Sequence, residues 1–304
     1  MVALSNVRRK LQSQGVTHAL FLVLPVALFL VFYLYPIIST FNLSLRSWDG
    51  FAPTQKFVGF RNYVTLAHQP RFYHAVLNNI QWLLFLLLGP TSLGLLLAAL
   101  LDRGIRGEAV FRVLFFQPFT IPAVAVAAIW RWMYEPTSGL LTTVLEGIGL
   151  SGLAQNWLGD PSVVNFSLMG AMLWWTTGFA FLVFFAGLRN VPVELIEAAR
   201  IEGATPWQCF WKVSFPLLWP STIVVLGMAA VDAMRLFDII WAMTNGGPAY
   251  ASEVLATQMY DTAFGRFDMG QASAISVYLL LIAAVIILPY IYYLARKVSD
   301  NEAE

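Results

Sequence analysis

The chain has 304 residues, 59% hydrophobic and 12% charged, with a net charge of +1 and a mean hydropathy of +0.68. Soluble domains average about 45–50% apolar and about 25% charged residues, so this composition expects lipid as its solvent, and the near-zero net charge argues against a nucleic-acid partner. One cysteine, Cys209, excludes both an intrachain disulfide and a cysteine-built zinc site.

Crossing the hydrocarbon core takes about 20 apolar residues, and six runs qualify: 18–41, 76–101, 113–134, 163–188, 217–243 and 272–294. Backbone polar groups must pair internally in lipid, so the runs predict helices; the alternation of a membrane barrel strand is absent. The expected fold is all-α, a polytopic bundle of six transmembrane helices. The first run is too long for a signal-peptide core and lacks a small-residue cleavage site, so it reads as a retained span behind Arg8, Arg9 and Lys10.

Basic residues orient the bundle. With both ends inside, the inner segments hold Arg8, Arg9, Lys10, Arg103, Arg106, Arg112, Arg189, Arg200, Lys212, Arg296 and Lys297, against Arg46, Lys56, Arg61, Arg71 and Arg266 outside. The chain divides into a cytoplasmic head (1–17), a first span with its outer loop (18–75), a core of five spans (76–295) and a cytoplasmic tail (296–304).

In chain order, Asn78, Asn79 and Gln81 open the second span and read as interface residues. Pro90, Pro118 and Pro122 interrupt the second and third spans; each taken singly reads as a packing kink, tolerated where neighbours satisfy the freed backbone groups. Ala123 and Ala127 suit close helix packing. Arg131, between Trp130 and Trp132, reads as an interfacial anchor. In the fourth span, Trp174, Trp175, Thr176 and Thr177 put aromatic faces beside hydroxyls, which suits a sugar or plain helix packing.

The segment between the fourth and fifth spans, 191–215, is polar and punctuated. Pro192 suits a helix start, Glu194 and Glu197 favour the positive end of its dipole, and Gly203 is a good terminator. Thr205, Pro206 and Gln208 form a capping box for a second helix, whose apolar side carries Trp207, Phe210 and Trp211. Pro216 marks the entry to the fifth span. Leu195, Ile196 and Ala199 add apolar surface to the first helix. Such a helix–turn–helix fits either a lipid headgroup layer or a groove on a cytosolic partner.

The fifth span carries charges, each costing about 2.5–3.5 kcal/mol at the bilayer centre on insertion scales. Asp232, Arg235 and Asp238 lie at i, i+3 and i+6, so on one continuous helix Arg235 reaches either carboxylate. They predict either an ion-paired cluster that stiffens the bundle or a polar wall of a solute pathway, with Asp238 accepting sugar hydroxyls and Trp241 stacking on the ring. The sequence TNGGP after it reads as a turn.

The segment 197–216 resembles the EAA loop of permease subunits of binding-protein-dependent ABC importers. Glu197-Ala198-Ala199 is followed after three residues by Gly203, and after nine more by Val213, Ser214, Phe215 and Pro216, where the family pattern ends I-x-L-P. FVGFRNYVTL, MRLFDIIWAMTNGGP and VLATQMYDTAF are similar to the carbohydrate-type members. The resemblance implies the fold of a type I ABC importer transmembrane domain. It implies a coupling role for Glu197, Ala198, Ala199, Gly203 and Pro216, and alternating access for a sugar or sugar-like solute across the cytoplasmic membrane of a prokaryote. The implied partners are a second similar permease, two ATP-binding subunits that hold ATP and Mg, an extracytoplasmic solute-binding protein and membrane lipid. No cofactor is expected in this chain. None of its four lysines follows a glycine, so it has no P-loop.

Other classes remain in view. Asp232 and Asp238 also suit a secondary transporter driven by an ion gradient. Catalysis is not expected: His18, His68 and His74 form no H-E-x-x-H, and G-x-S-x-G is absent.

Overall fold

The computed structural model describes residues 21–102 and 104–302. Arg8, Arg9, Lys10, His18 and Arg103 lie outside the described residues. Helices dominate. The strands among the described residues are two short pieces, β1 (Arg46–Ser47) and β2 (Lys56–Phe57), paired antiparallel with Arg46 opposite Phe57.

Four helices are long and apolar enough to cross a membrane: α1 (Phe21–Ser44), α3 (Pro70–Leu101), α7 (Val164–Arg189) and α13 (Met269–Glu302), of which Met269–Tyr293 qualifies. Two bent pairs raise the number to as many as six if each is one span. The first joins α4 (Glu108–Phe116), with its 3-10 turn to Thr120, to α5 (Ala123–Met133) across a 101° bend. Pro122 has no N–H to give and forces the preceding residue out of helical geometry; Ile121 is extended at φ −81° and ψ 133°. The third expected span is therefore sharply bent, more than a packing kink. Pro90, by contrast, is buried inside an unbroken α3.

The second bent pair joins α9 (Pro206–Leu217) to α10 (Trp219–Met234) at 67°. The expected continuous span to residue 243 is corrected here: helix stops at Met234, Arg235–Phe237 is non-helical, and α11 runs from Asp238 to Thr244. Shorter helices complete the chain: α2 (Arg61–Ala67), α6 (Leu140–Gly147), α8 (Val193–Ile201) and α12 (Leu255–Tyr260).

The core is strung along α3, which at about 1.5 Å per residue reaches further than the roughly 30 Å hydrocarbon layer. Phe72 and Ala75 pack with Leu66, Leu255 and Ile275 at its start. Trp82 and Leu86 meet Leu168, Met172, Ala233 and Ile240 in the middle. Ala98 and Leu101 join Phe181, Phe184 and Leu218 at its end. Gly94 lets α3 and α7 touch by their backbones, since a Cβ there would sit 2.7 Å from the Phe181 nitrogen. Asn62, buried in α2, donates to the carbonyls of Ser44 and Arg46 at 2.8 Å each and ties the segment between α1 and α3 to the end of α1.

Candidate functional site

The segment 191–217 folds by local rules. Pro192 caps α8, Glu194 lies in its first turn and Arg200 in its last, each favourable to the dipole. Gly203 follows at φ +88°, the left-handed conformation that glycine adopts without penalty. Its N–H donates to Arg200 O at 3.0 Å and that of Ala204 to Ala199 O at 2.9 Å, the Schellman pattern that closes a helix. The capping box forms as expected: Thr205 N donates to Gln208 Oε1 at 2.8 Å and Gln208 N to Thr205 Oγ1 at 3.3 Å. A π-helical stretch, Phe210–Ser214, then carries the helix to exposed Pro216 and the bend at Leu218. The wider π spacing suits a proline, whose missing N–H leaves a carbonyl free.

No residue of α8 is buried. Glu197 and Ala198 are exposed and Ala199 half-buried. Large apolar side chains stay uncovered: Ile201 is 88% exposed and Trp207 70%. Trp207 meets Trp211 edge-on at 5.5 Å, while Phe210 turns inward against the cluster of Phe184 and Leu218. Beneath the loop, Arg189 joins Glu108 at 2.6 Å and Asp102 at 3.4 Å, linking the ends of α7, α4 and α3.

The break at Arg235–Phe237 opens a cleft of about 200 Å³, lined by Phe119, Trp175, Thr176, Asp232, Arg235 and Asp238 among others. Asp232 is half-buried, and Arg235 and Asp238 are exposed. Among the described residues, no ion pair within 4.0 Å joins Arg235 to either carboxylate, so the expected pairing along one helix side does not form. The interrupted helix separates Arg235 from Asp238, whereas the Arg235 N–H still donates to Val231 O at 3.1 Å and Asp232 O at 3.2 Å, so toward Asp232 the backbone spacing is kept and the side chains stay apart. Thr176 and Trp175 face the cleft, and Trp175 Nε1 donates at 3.0 Å to Ile121 O, a carbonyl at the bend before Pro122. Their neighbours lie elsewhere. Thr177 is 5% exposed and gives its hydroxyl to Leu173 O at 2.5 Å. Trp174 meets Trp130 edge-on at 5.9 Å. Trp241 is stacked on Phe237 at 5.7 Å and crossed by Tyr260 at 4.6 Å. Arg131 is exposed, with a long 3.4 Å contact to Ala242 O.

A third arrangement escaped the sequence. At the start of α3, Arg71 donates to Glu253 at 2.5 and 2.6 Å and to Asp261 at 2.6 Å, and lies 3.9 Å over the ring of Tyr250. Burial pushes the Glu253 carboxyl up, and the Arg71 guanidinium pulls against that shift. Asn78 donates to Ala251 O at 2.9 Å and Glu253 O at 2.7 Å, and Asn165 to Ala251 O at 3.0 Å. Asn78 and Asn79, half-buried and buried, thus bridge α3 to the segment 251–255. The partners of Asn78 lie 173 and 175 residues along the chain, so no local spacing marks them.

The family model for the inner membrane component of binding-protein-dependent transport systems matches residues 91–300. The chain is 37% identical over 272 residues to the alpha-glucoside transport system permease protein AglF of Rhizobium meliloti, covering 87% of this chain and 78% of that one. It is 33% identical over 287 residues to the trehalose/maltose transport system permease protein MalF of Thermococcus litoralis, covering 93% and 96%. Its fold matches the crystal structure of a bacterial ABC transporter involved in import of the acidic polysaccharide alginate, with a TM-score of 0.81, 22% identity and coverage of 96% and 99%. These relatives are permease proteins, not enzymes. With the family model spanning more than half its length, and with relatives of this identity along nearly all of it, the chain belongs to the family of inner membrane components of binding-protein-dependent transport systems.

Proposed function

We propose that the chain is a permease subunit of an ATP-driven importer that moves a sugar or sugar-like solute across the cytoplasmic membrane by alternating access. Its partners are a second similar permease, two ATP-binding subunits and an extracytoplasmic solute-binding protein. ATP and Mg bind to the ATPase subunits. Residues 1–17 and 296–304 lie on the cytoplasmic side, 18–75 form the first span and outer loop, and 76–295 form the translocating core with its cytoplasmic coupling loop.

One observation carries this reading: α8 projects with no buried residue, yet the capped helix after Gly203 runs through a single bend into the fifth span. Such an elbow is a lever. Exposed Ile201 and Trp207 supply a docking face, and Glu197 and Ala198 lie open beside them. Force on α8 reaches α10, which carries Asp232 at the cleft.

The cleft supports the solute class. Two carboxylates and one guanidinium present acceptors and donors to hydroxyl groups, with Trp175 and Phe119 as apolar walls. The excess of negative charge favours neutral over acidic solutes. The names of the relatives, alpha-glucosides and trehalose/maltose, support the same class.

The test is the complete transporter in liposomes, with ATP hydrolysis stimulated by the binding protein loaded from a panel of neutral disaccharides. Gly203→Val forces a β-branched residue to positive φ, at about 1–2 kcal/mol, and should lower stimulated hydrolysis and uptake roughly tenfold. Glu197→Ala should act in the same direction. Unchanged hydrolysis and uptake in both variants would remove the lever. Uptake that persists without ATP and collapses with an ion gradient would replace the importer with a secondary transporter.

A further inference from the structure

Asn79 lies on α3 and is 2% exposed. Its Oδ1 accepts the N–H of Leu255, the first residue of α12, at 2.8 Å. Its Nδ2 lies 3.5 Å from the carbonyl of Ala233, the last residue but one of α10. Both backbone groups belong to helix ends, which have no partner within their own helix. One side chain therefore spans the place where the fifth span stops and the place where α12 starts.

Its neighbour Asn78 holds the loop between α11 and α12 through the carbonyls of Ala251 and Glu253, and Arg71 holds the Glu253 side chain. In that loop Ala249 and Tyr250 keep φ values of 48° and 65°, which non-glycine residues adopt at a cost. A conformation of this kind persists where surrounding contacts over-determine it. At the break itself the Arg235 N–H still donates to Val231 O at 3.1 Å, but Leu236 and Phe237 are non-helical, and winding α10 into α11 would recover helical hydrogen bonds there.

We infer that Asn78 and Asn79 form a clamp that holds the fifth span broken at Arg235–Phe237, and so positions Asp232, Arg235 and Asp238 around the cleft. They are positioning residues and touch no solute. The cleft's role as a pathway rests on the function proposed above; the clamp itself rests on geometry. Releasing it lets the break rewind, and Arg235, already at helical spacing from Asp232, then falls within helical reach of Asp238 as well.

The experiment uses the assembled complex with Cys209→Ala and Arg235→Cys, leaving one thiol in this chain, at the break. Its reaction rate with a small membrane-impermeant thiol reagent is measured with and without Asn79→Leu or Asn78→Ala. Ser151→Cys, on an exposed loop, is the reference. Loss of buried hydrogen bonds should change the rate at position 235 about fivefold in either variant and leave position 151 unaltered. Where Asn79→Leu does not assemble, the half-buried Asn78→Ala decides. An unchanged rate at position 235 in assembled Asn78→Ala overturns the clamp, as does an equal change at position 151. Labelling needs no solute. A clamp that passes this test in a complex that carries no sugar would stand while the pathway reading fell.

Discussion

Arg235 forms no ion pair with Asp232 or Asp238 among the described residues, and this decides what its replacement does. Removing one member of a buried pair costs about 3–5 kcal/mol, because a charge is left unpaired. Arg235 is exposed at a helix break, so Arg235→Gln should leave the thermal stability of the complex within about 0.5 kcal/mol. Uptake should instead fall about tenfold, the scale of one hydrogen bond to a charged donor. A melting curve and a transport assay on the same preparation separate the two outcomes. The same logic ranks the aromatic candidates. Trp175 lines the cleft, whereas Trp174 is engaged with Trp130 and Trp241 with Phe237 and Tyr260.

Among the elements, α3 and α7 form the frame on which the other helices hang. Their contact at Gly94 is backbone to backbone, and a Cβ would come within 2.6 Å of Ala180 Cβ. Both partners are rigid helix, so neither yields cheaply. Gly94→Leu should destabilise the protein by about 1–3 kcal/mol or more, as overpacking does, and lower its melting temperature in detergent. The bends have different causes. That of α4–α5 is covalent, written by Pro122; that of α9–α10 sits at Leu218, just past the exposed Pro216, with α9 reaching it through a π-helical stretch. The break between α10 and α11 contains no proline, and its partners come from α3.

At the scale of the molecule, the elbow and the Arg71 network lie at opposite ends of α3, reached through the clusters around Leu101 and around Phe72. The function proposed above places the elbow end on the cytoplasmic side, in line with the excess of basic residues around it. In a Cys209→Ala background, Glu197→Cys should react with an impermeant reagent only from the inner side, and Ser151→Cys only from the outer side. Labelling of right-side-out and inverted vesicles checks this. Both positions labelled from one side would reverse or dismantle the topology.

The sequence by itself determined the helical class, the approximate place of each apolar run, and the elbow with its glycine closure and capping box. Those signals are local: the hydrogen bonds at Gly203 and Thr205 join residues at most five apart, so spacing along the chain encodes them. Tertiary structure decided the rest. The Arg71–Glu253 pair joins residues 182 apart, and the amide of Asn79 joins groups 154 and 176 residues away. It also decided which residues of the fourth span face the cleft. In lipid, a helix apolar on all sides carries no polar stripe to mark its inner face, so its rotation is set by neighbours such as Gly94 and Ile121 rather than by its own pattern.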